Sequence, residues 1–275
     1  MSGPRFLVLA NAGDALAGRV AVGMRQAAGP GAHVLWLTPT DLVLGRWEHR
    51  VSSAGVRTWL QVDGEWRGLD DVAATLNRLR WLPPVAGGFA STDDADYASA
   101  ERHALVTSAV HGLAGTVVNP PTPPSLSGPD LTSAGWLRLA ASLGLAVRGT
   151  VATTDARRHP RPGWQPARWP SLVPVPTTVP LGARPVVWMA PVTAPRRCWV
   201  VGESVIVSEG TGCRAGGLDL RRLARAAGCL LLEVLLARDD RGEVVLAGAD
   251  PFPVDVPDEV LDAVLDLLLA RVGSR

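Results

Sequence analysis

Two arginines in the segment Asn77-Arg78-Leu79-Arg80 directly follow a predicted strand in the N-terminal third of the chain. Open α/β sheets bind ligands at the carboxyl ends of their strands, and a guanidinium group holds a carboxylate through two parallel hydrogen bonds. Arg78 or Arg80 is therefore a candidate carboxylate clamp. The alternative, which we favour, is that one arginine pairs with a nearby acid such as Asp70 or Asp71 while the other is solvated.

Three acidic residues in the last third, Glu233, Asp250 and Asp255, are candidates for acid–base chemistry. Glu233 lies in one predicted strand and Asp250 follows the next, so they share a site only if both side chains point to the same face. A remnant acid–base site and unrelated surface acids both stay open, and the second interpretation is the simpler one.

The histidines and cysteines do not form a metal-binding pattern. His103 and His111 are eight residues apart on a predicted helix, whereas two metal ligands on one helix need a spacing of three or four residues. Cys198, Cys213 and Cys229 are odd in number and lack the short spacings of zinc sites. We therefore predict no metal, and we expect thiols with structural or incidental roles.

The chain contains no lysine, because all 27 of its Lys and Arg residues are arginine. Chemistry that needs a lysine ammonium group on a phosphate, or a lysine Schiff base, is thereby excluded. The glycine-rich segment Gly210-Thr211-Gly212-Cys213 has no following lysine, and Glu209 before it would repel a phosphate. Ser204 lacks the Gly-x-Ser-x-Gly frame of a hydrolase nucleophile.

Ten tryptophans accompany only one tyrosine and three phenylalanines, and four of them lie in or near a proline-rich stretch: Trp164, Trp169, Trp188 and Trp199. The favoured interpretation is that these rings pack the stretch against the body of the protein. The alternative is a surface that binds a peptide or a subunit, because tryptophan and arginine are frequent interface anchors.

The composition limits the classes of partner. A chain of 275 residues with 47% hydrophobic and 19% charged residues can bury a full core. Its formal net charge of +1 does not favour nucleic acid. No apolar stretch approaches the roughly 20 residues of a membrane span, and the apolar run Phe6–Ala10 is too short for a signal peptide. We expect a cytoplasmic protein without a membrane partner.

The candidate residues must be positioned by an alternation of strands and helices in the first half of the chain, which predicts an α/β protein with an open, mostly parallel sheet. Asp14 is a predicted helix cap, and Asp63-Gly64 predicts a hairpin. The predicted strands are Phe6–Asn11, His33–Thr38, Val56–Gln61, Glu65–Gly68, Thr75–Trp81, Val117-Val118 and Val147–Thr153, and the predicted helices are Asp14 to Ala28, Asp70–Ala74, Tyr97–Leu113 and Thr132–Leu143.

Residues 155–185 differ in composition from the segments around them, since proline, arginine and tryptophan are frequent in this stretch. Proline at this density opposes a regular helix or a central strand, so we predict an extended surface connection with at most one short edge strand. Beyond it, the predicted strands are Val186–Ala190, Cys198–Val201, Ser204–Val207, Leu230–Ala237 and Glu243–Ala247, and the predicted helices are Leu218–Gly228 and Pro257–Val272.

Several short motifs, in this order, resemble the ATP-grasp superfamily, in particular the ligases that modify ribosomal natural-product peptides and the ribosomal-protein glutamate ligases. The motifs are Val118-Asn119-Pro120-Pro121, Gly144-Leu145 followed by Thr150 or Thr153, Arg197-Cys198-Trp199-Val200-Val201-Gly202, and the segment from Leu235 to Pro251. They cover under half of the chain, and their order and spacing carry the resemblance.

The resemblance implies Mg-ATP held by lysines and by metal-binding carboxylates, and this chain departs from that set. When the last motif is aligned on its Gly and Pro, Leu235 replaces an acidic strand residue, Gly248 replaces a metal-binding Glu, and Asp250 replaces a metal-binding Asn. Ser133 stands where the family often has a lysine. Residues 155–185 replace the lid subdomain. Magnesium requires oxygen ligands in near-octahedral array, so we predict neither metal nor nucleotide cofactor.

The resemblance therefore implies an N-terminal, pre-ATP-grasp-like α/β domain followed by a truncated ATP-grasp-like α+β domain. The predicted parts are residues 1–130 (N-terminal domain), 131–154 (remnant of the central subdomain), 155–185 (connection) and 186–275 (C-terminal domain). The candidate ligand-binding residues are Arg78, Arg80, Asn119, Arg197 and Asp250.

Three functions follow as hypotheses. The favoured one is a degenerate protein that binds a peptide or a partner biosynthetic enzyme without ATP, and a homodimer is compatible with it. The second is an enzyme with nucleotide-independent chemistry in a polar cleft around Arg78, Asn119, Arg197 and Asp250. The third is a divergent ATP-dependent carboxylate–amine ligase with arginines on the phosphates.

Overall fold

The computed structural model describes residues 5–29, 31–85, 87–153, 162–168, 173–174, 186–208 and 219–270. The chain divides into two compact units, and it returns to the first unit at residue 228 and again at residue 252. The first unit comprises Met1–Asp130, Gly228–Leu231 and Phe252–Arg275, and the second comprises Leu131–Ala227 and Leu232–Pro251.

The first 130 residues hold seven strands and three helices among the residues described. The strands are β1 (Arg5–Leu9), β2 (His33–Leu37), β3 (Arg46–Ser52), β4 (Gly55–Val62), β5 (Glu65–Gly68), β6 (Val72–Asn77) and β7 (Thr116–Val118), and the helices are α1 (Ala15–Ala27), α2 (Pro39–Leu44) and α3 (Thr92–His111).

The first unit is built on a parallel sheet with the strand order β2-β1-β6-β7. β1 lies between β2 and β6, so that Leu7 is opposite both Leu35 and Thr75. Residues on both faces of β1 are buried, including Phe6 and Val8 on one side and Leu7 on the other. This burial is typical of a parallel strand covered on both faces. The predicted open parallel sheet is confirmed.

The short helix predicted over Asp70–Ala74 is wrong. β6 already begins at Val72, whose side chain is buried in the core. The Asp70 carboxylate accepts a hydrogen bond from the Thr58 backbone N–H at 2.8 Å, so it serves a neighbouring strand instead of capping a helix. The strand predicted to start at Thr75 therefore starts three residues earlier.

The hairpin predicted at Asp63-Gly64 is confirmed. β4 and β5 pair in antiparallel fashion, and β3 pairs with the other edge of β4. Asp63 and Gly64 have φ values of 51° and 81°. Two left-handed residues in succession form the type I′ turn that matches the twist of a hairpin.

One hydrophobic cluster joins β1, β2, β4, β6, α2 and the C-terminal part of α3. Helix α1 begins at the Asp14 cap, whose side chain accepts a hydrogen bond from the Ala17 N–H. The final helix, α6 (Asp258–Leu269), packs against α1 and β6. The buried members of the cluster are Leu7, Leu9, Leu37, Leu42, Leu60, Leu69, Val72, Leu79, Val106, Val110 and Leu126.

Among the residues described, the second unit contains two four-stranded sheets and two helices. The first sheet has the order β10-β9-β11-β8, the second has the order β13-β12-β14-β15, and α4 packs against β15. The elements are α4 (Ser133–Ser142), β8 (Thr150–Thr153), β9 (Gln165–Arg168), β10 (Val173–Pro174), β11 (Val186–Met189), β12 (Thr193–Val201), β13 (Ser204–Val207), α5 (Leu220–Ala227), β14 (Leu231–Arg238) and β15 (Val244–Asp250).

The prediction for residues 155–185, an extended connection with at most one edge strand, is wrong for the described part of this stretch. β9 pairs with β11 on one side and with β10 on the other, so it is an inner strand of the sheet. β9 tolerates Pro166 because β10 pairs only with Ala167 and Arg168. The proline therefore removes no hydrogen bond between β9 and β10. The other prolines of the stretch lie outside the described residues, apart from Pro162 and Pro174.

Within the described ranges, no helix combines the length and the apolar character that a bilayer span requires.

Candidate functional site

The candidate acids lie on one face of the β14–β15 ladder. Glu233 is opposite Asp250, and Leu235 is opposite Gly248. Residues opposite each other in an antiparallel pair point to the same face, as do residues two apart in one strand. The four positions therefore form one surface patch, which we call the ladder face. Its side chains differ in exposure, since Leu235 is 36% exposed and Asp250 is exposed, whereas the Glu233 side chain is only 19% exposed.

Arg197 holds the Glu233 carboxylate from the neighbouring strand β12. Its Nε donates to Oε1 and its Nη2 donates to Oε2, both at 2.7 Å, which is the two-bond geometry that arginine favours with carboxylates. The Trp199 Nε1–H adds a bond to Oε2 at 3.3 Å, and the Arg197 guanidinium lies 5.1 Å from the Trp199 ring centre. The charge of Glu233 is thus neutralised within the protein.

The ladder face does not offer the donor set of a magnesium site. Magnesium requires several oxygen ligands, and neither Leu235 nor Gly248 has a side-chain oxygen. Both Glu233 oxygens accept bonds from Arg197, and Asp250 is the remaining carboxylate of the patch. In the part of the chain that the structure describes, no three His, Cys, Asp or Glu side chains come together as a metal-ligand group. The residues present do not fit the metal that the resemblance implies.

Asn119 has a different role at the carboxyl end of β7. Its Oδ1 accepts from the backbone N–H groups of Leu230 and Leu231, both at 3.0 Å, and its Nδ2 donates to the Leu231 carbonyl at 2.8 Å. The side-chain amide thus pairs with the backbone as a strand neighbour would. Asn119 is 1% exposed and has a φ of 55°. We call this arrangement the link clamp, because it holds the 228–231 link at the start of β14.

Two further buried polar residues support the link clamp. Asn77, at the end of β6, donates through Nδ2 to the carbonyls of Asn119 and Leu126 at 3.0 and 2.8 Å. The Ser127 hydroxyl donates to the Asn77 carbonyl at 2.7 Å. Buried polar groups need such partners, since an unmade bond costs about 1–3 kcal/mol. The Asn-Pro motif of the sequence is therefore part of the internal structure of the first unit.

Arg78 pairs with an acid, but not with the acid expected. Its Nε donates to the Asp14 carboxylate at 2.7 Å, and its side chain is only 5% exposed. Asp71 pairs instead with Arg5, and Asp70 bonds the backbone. Asp14 was predicted only as the cap of α1, and nothing in the sequence indicated that it would also pair with Arg78. A ligand reaches Arg78 only if surrounding groups move.

Arg80 lies at the surface of the first unit. Its guanidinium stacks 4.5 Å from the centre of the Phe252 ring, and Nη2 lies 3.3 Å from the Phe252 carbonyl oxygen. A cation over an aromatic face gains about 0.5–1 kcal/mol at an exposed position. The structure thus gives Arg80 a packing partner that no local signal in the sequence indicated.

The five candidate ligand residues divide between the units. Arg78, Arg80 and Asn119 belong to the first unit, and Arg197 and Asp250 belong to the second. Within the second unit, Arg197 and Asp250 both neighbour Glu233, one through an ion pair and one across the ladder. The sequence left open whether Glu233 and Asp250 share a face, and the ladder places them opposite each other.

The remaining candidates are the cysteines, and the two that the structure describes are buried. Cys198 and Cys229 are buried thiols, and burial raises the pKa of Cys229 to about 12, so its reactive thiolate form is disfavoured. Cys213 and the glycine-rich segment 210–213 lie outside the described residues. His49, which the sequence analysis did not single out, joins β3 to α3, because its ring nitrogens lie 2.9 Å from the hydroxyls of Thr58 and Ser108.

The tryptophans of the second unit mainly serve packing. Trp188 and Trp199 are buried, and the Trp164 ring lies over Gly149, where an added Cβ would approach it to 3.2 Å. Trp169 lies outside the described residues. The burial of Trp188 and Trp199 and the position of Trp164 agree with a packing role. That these rings pack residues 155–185 against the body of the protein stays a prediction.

No protein-family model matches the chain, and no curated protein matches it by sequence. Its fold matches solved structures. The ATP-grasp ligase PsnB, complexed with a phosphomimetic variant of its minimal precursor, Mg and ADP, has a TM-score of 0.72 at 16% identity, over 99% of this chain and 100% of PsnB. The macrocyclase MdnC from Microcystis aeruginosa MRC, bound with the precursor peptide MdnA, has a TM-score of 0.69 at 14% identity, over 97% and 99% of the two chains.

A third structure agrees with these two. A RiPP-associated ATP-grasp ligase from Chryseobacterium gregarium, in complex with ADP and a leader and core peptide, has a TM-score of 0.64 at 10% identity, over 97% of both chains. The expected ATP-grasp fold is thus confirmed. Since this chain spans 97–100% of the three similar chains, the predicted truncation is not confirmed.

Proposed function

Because the chain has the fold of ATP-grasp ligases, we propose that it is a catalytically degenerate form of that fold, which binds no Mg-ATP and acts as a peptide-binding or accessory subunit in a biosynthetic pathway. The proposal has two parts, loss of the nucleotide chemistry and retention of a peptide partner. They rest on different observations.

The composition of the ladder face carries the first part. Leu235 and Gly248 stand directly opposite each other at two positions where the resemblance implies metal-binding acids. The ladder face has two acids, Asp250 and Glu233, and the charge of Glu233 is balanced by Arg197. Without two or more carboxylates to hold a divalent cation, the triphosphate has no metal bridge to the protein.

The absence of lysine from the sequence supports the same part. Phosphoryl-transfer enzymes neutralise the nucleotide phosphates with metal ions and cationic side chains, and every such side chain here is an arginine or a histidine. In the second unit, Arg197 and Arg225 are already paired with Glu233 and Glu203.

The structures that share the fold support the second part. MdnC is bound with a precursor peptide, PsnB is complexed with a minimal precursor, and the Chryseobacterium gregarium ligase holds a leader and core peptide.

Calorimetric titration of the full chain with Mg-ATP tests the first part. We expect no saturable heat up to millimolar nucleotide, and no ADP release when peptides are added. Saturable binding in the micromolar range, or ADP release that depends on the chain, would contradict the proposal.

A gain-of-function variant tests the ladder face itself. The double substitution Leu235→Asp and Gly248→Glu places two more carboxylates beside Asp250, and we expect it to bind Mn²⁺ measurably by paramagnetic resonance, whereas the wild type does not. The matched control is Leu235→Asn with Gly248→Gln, which has similar size without charge. If the wild-type chain binds Mn²⁺ as tightly as the acidic variant, the interpretation of the ladder face is wrong.

A further inference from the structure

Helix α3 extends well beyond the core that holds it. It has 20 residues, about 30 Å at 1.5 Å per residue, whereas the six residues of β6 span about 20 Å. Its buried residues, Val106, Ala109 and Val110, all lie in its C-terminal part. α3 connects the parallel strands β6 and β7, so it runs opposite to them, and its N-terminal half lies toward their carboxyl ends. Ligands of open α/β sheets bind on this side.

A cavity of about 420 Å³ opens between the middle of α3 and the chain that leaves β6. Its lining residues are Leu82, Pro83, Ser99, Ala100, Arg102 and His103. Its wall is held in place, because the Ser99 hydroxyl accepts from the Val85 N–H at 3.1 Å and donates to the Ala95 carbonyl at 2.8 Å. The volume lies within the range of about 300–1,000 Å³ that small-ligand sites occupy. We call it the α3 pocket.

The α3 pocket combines an apolar wall with basic groups. Leu82, Pro83 and Ala100 are apolar, whereas Arg102 and His103 are basic, and no acidic residue lines the cavity. In the described part of the chain, no carboxylate lies within 4.0 Å of either basic side chain. Arg102 reaches only the Gly45 carbonyl, at 3.5 Å, which is the outer limit of a hydrogen bond. Its guanidinium therefore keeps donors for an incoming carboxylate.

We infer that the α3 pocket binds the side-chain carboxylate of a peptide residue, Asp or Glu, flanked by aliphatic neighbours. This inference rests on the proposed peptide partner and names the chemistry that one of its residues must have. A polyanion such as a nucleic acid fits less well, because Asp93, Asp94 and Asp96 occupy the first turns of α3 and Glu101 adjoins Arg102. A single carboxylate on an aliphatic chain meets both the basic groups and the apolar wall.

Fluorescence anisotropy of the full chain tests the α3 pocket with two labelled peptides, fluorescein-Gly-Ala-Leu-Glu-Leu-Ala-amide and the same peptide with Gln in place of Glu. We expect the Glu peptide to bind about tenfold more tightly than the Gln peptide, as befits a charge-assisted pair of hydrogen bonds. The double substitution Arg102→Gln and His103→Gln is expected to remove this preference. Ala100→Trp, which fills the cavity without a change of charge, is expected to weaken both peptides.

The matched control is Arg25→Gln with His111→Gln, which removes the same side chains from exposed helix positions outside the cavity. It is expected to leave both affinities unchanged. Equal binding of the Glu and Gln peptides, or equal losses in the pocket and control variants, overturns the inference. Binding of labelled oligo(dT) with the same sensitivity to Arg102→Gln overturns the assignment to a peptide. All these outcomes are independent of the Mg-ATP titration, which decides the proposed loss of nucleotide binding.

Discussion

The link clamp and the arginine–glutamate pair of the ladder face use polar groups in opposite ways. In the link clamp, the neutral amide of Asn119 is 1% exposed and exchanges three hydrogen bonds with the backbone of residues 230–231. In the pair, the charged side chains of Arg197 and Glu233 are 40% and 19% exposed. The first arrangement determines the path of the chain, whereas the second neutralises charge at a surface.

The difference shows that residues of two motifs that both resemble the ATP-grasp pattern have different physical roles in one fold. Asn119 and Arg197 both belong to motifs that resemble ATP-grasp ligases, and both were candidate ligand residues. Asn119 satisfies backbone groups at the start of β14, which would be costly to bury without partners. Arg197 balances Glu233 on a face from which two expected acids are absent. The comparison predicts effects of very different size.

The largest effect is expected from Asn119→Ala. It removes three hydrogen bonds to buried backbone groups and places alanine at a φ of 55°, so we expect the free energy of unfolding to fall by about 3–5 kcal/mol. Asn119→Gly loses the same bonds without the left-handed strain, and it should be the more stable of the two by about 1–2 kcal/mol. Urea unfolding measures both, and a loss below about 1 kcal/mol in both variants would contradict the role of the link clamp.

The next effect concerns the pH dependence of the same link, through Cys229. Its pKa is raised to about 12 by burial, so above pH 9 the unfolded chain loses a proton that the folded chain retains. Stability is then full below the unfolded pKa and falls as pH rises toward 12, by at most about 1.4 kcal/mol per pH unit. Without lysine, few groups titrate between pH 8 and 10. Urea unfolding at several pH values between 8 and 10 should show that the free energy of unfolding falls less steeply with pH in Cys229→Ala than in the wild type. An equally steep fall in both proteins would count against the burial of the thiol.

A smaller effect is expected for the pair on the ladder face. Because Arg197 is 40% exposed, a double-mutant cycle of Arg197→Met and Glu233→Gln should give a coupling energy of about 0.5–1 kcal/mol. Each single variant should unfold cooperatively, because neither substitution leaves as many buried groups without partners as Asn119→Ala does. A coupling energy as large as the Asn119→Ala effect would erase the distinction between the two regions.

The smallest effect is expected from Arg225 and Glu203, a second arginine–glutamate pair in the same unit. Arg225 donates to Glu203 at 2.6 Å, and this hydrogen bond lowers the pKa of Glu203. The contribution of the pair is present above the ordinary pKa of glutamate and is lost as pH falls through the lowered pKa. Carboxyl NMR titration should show the pKa of Glu203 rising in Arg225→Gln, with the unfolding midpoint unchanged. A pKa of Glu203 that stays in place would refute the pairing.

Local signals in the sequence predicted much of the fold. The Asp63-Gly64 turn, the Asp14 cap and the strands of the parallel sheet each depend on neighbouring residues, and they are confirmed within a few residues. The errors arose where the same residues serve distant partners. Asp70 resembled a helix start but binds the backbone of Thr58, and the proline count of residues 155–185 concealed an inner strand that tolerates a single proline.

The candidate site was predicted as a set of residues, not as a set of contacts. Arg197, Glu233 and Asp250 were all selected, but no pattern along the chain indicated that Arg197 binds Glu233, 36 positions away. Arg78 was expected beside Asp70 or Asp71 and pairs with Asp14, because β1 and β6 are neighbours in the sheet and their ends meet. The α3 pocket escaped prediction altogether, since two segments with unremarkable compositions line it.

The sequence by itself determined which side-chain groups are missing from this chain. No arrangement of the chain can supply an ammonium group from lysine, or a side-chain oxygen ligand from Leu235 and Gly248. Only the tertiary structure decided which of the remaining polar residues meet. The shift in strand register between Leu235 and Leu236 places Gly248 opposite Leu235 and Asp250 opposite Glu233. Register depends on the packing of whole strands, so a shift of one residue changes every neighbour without any change in the residues themselves.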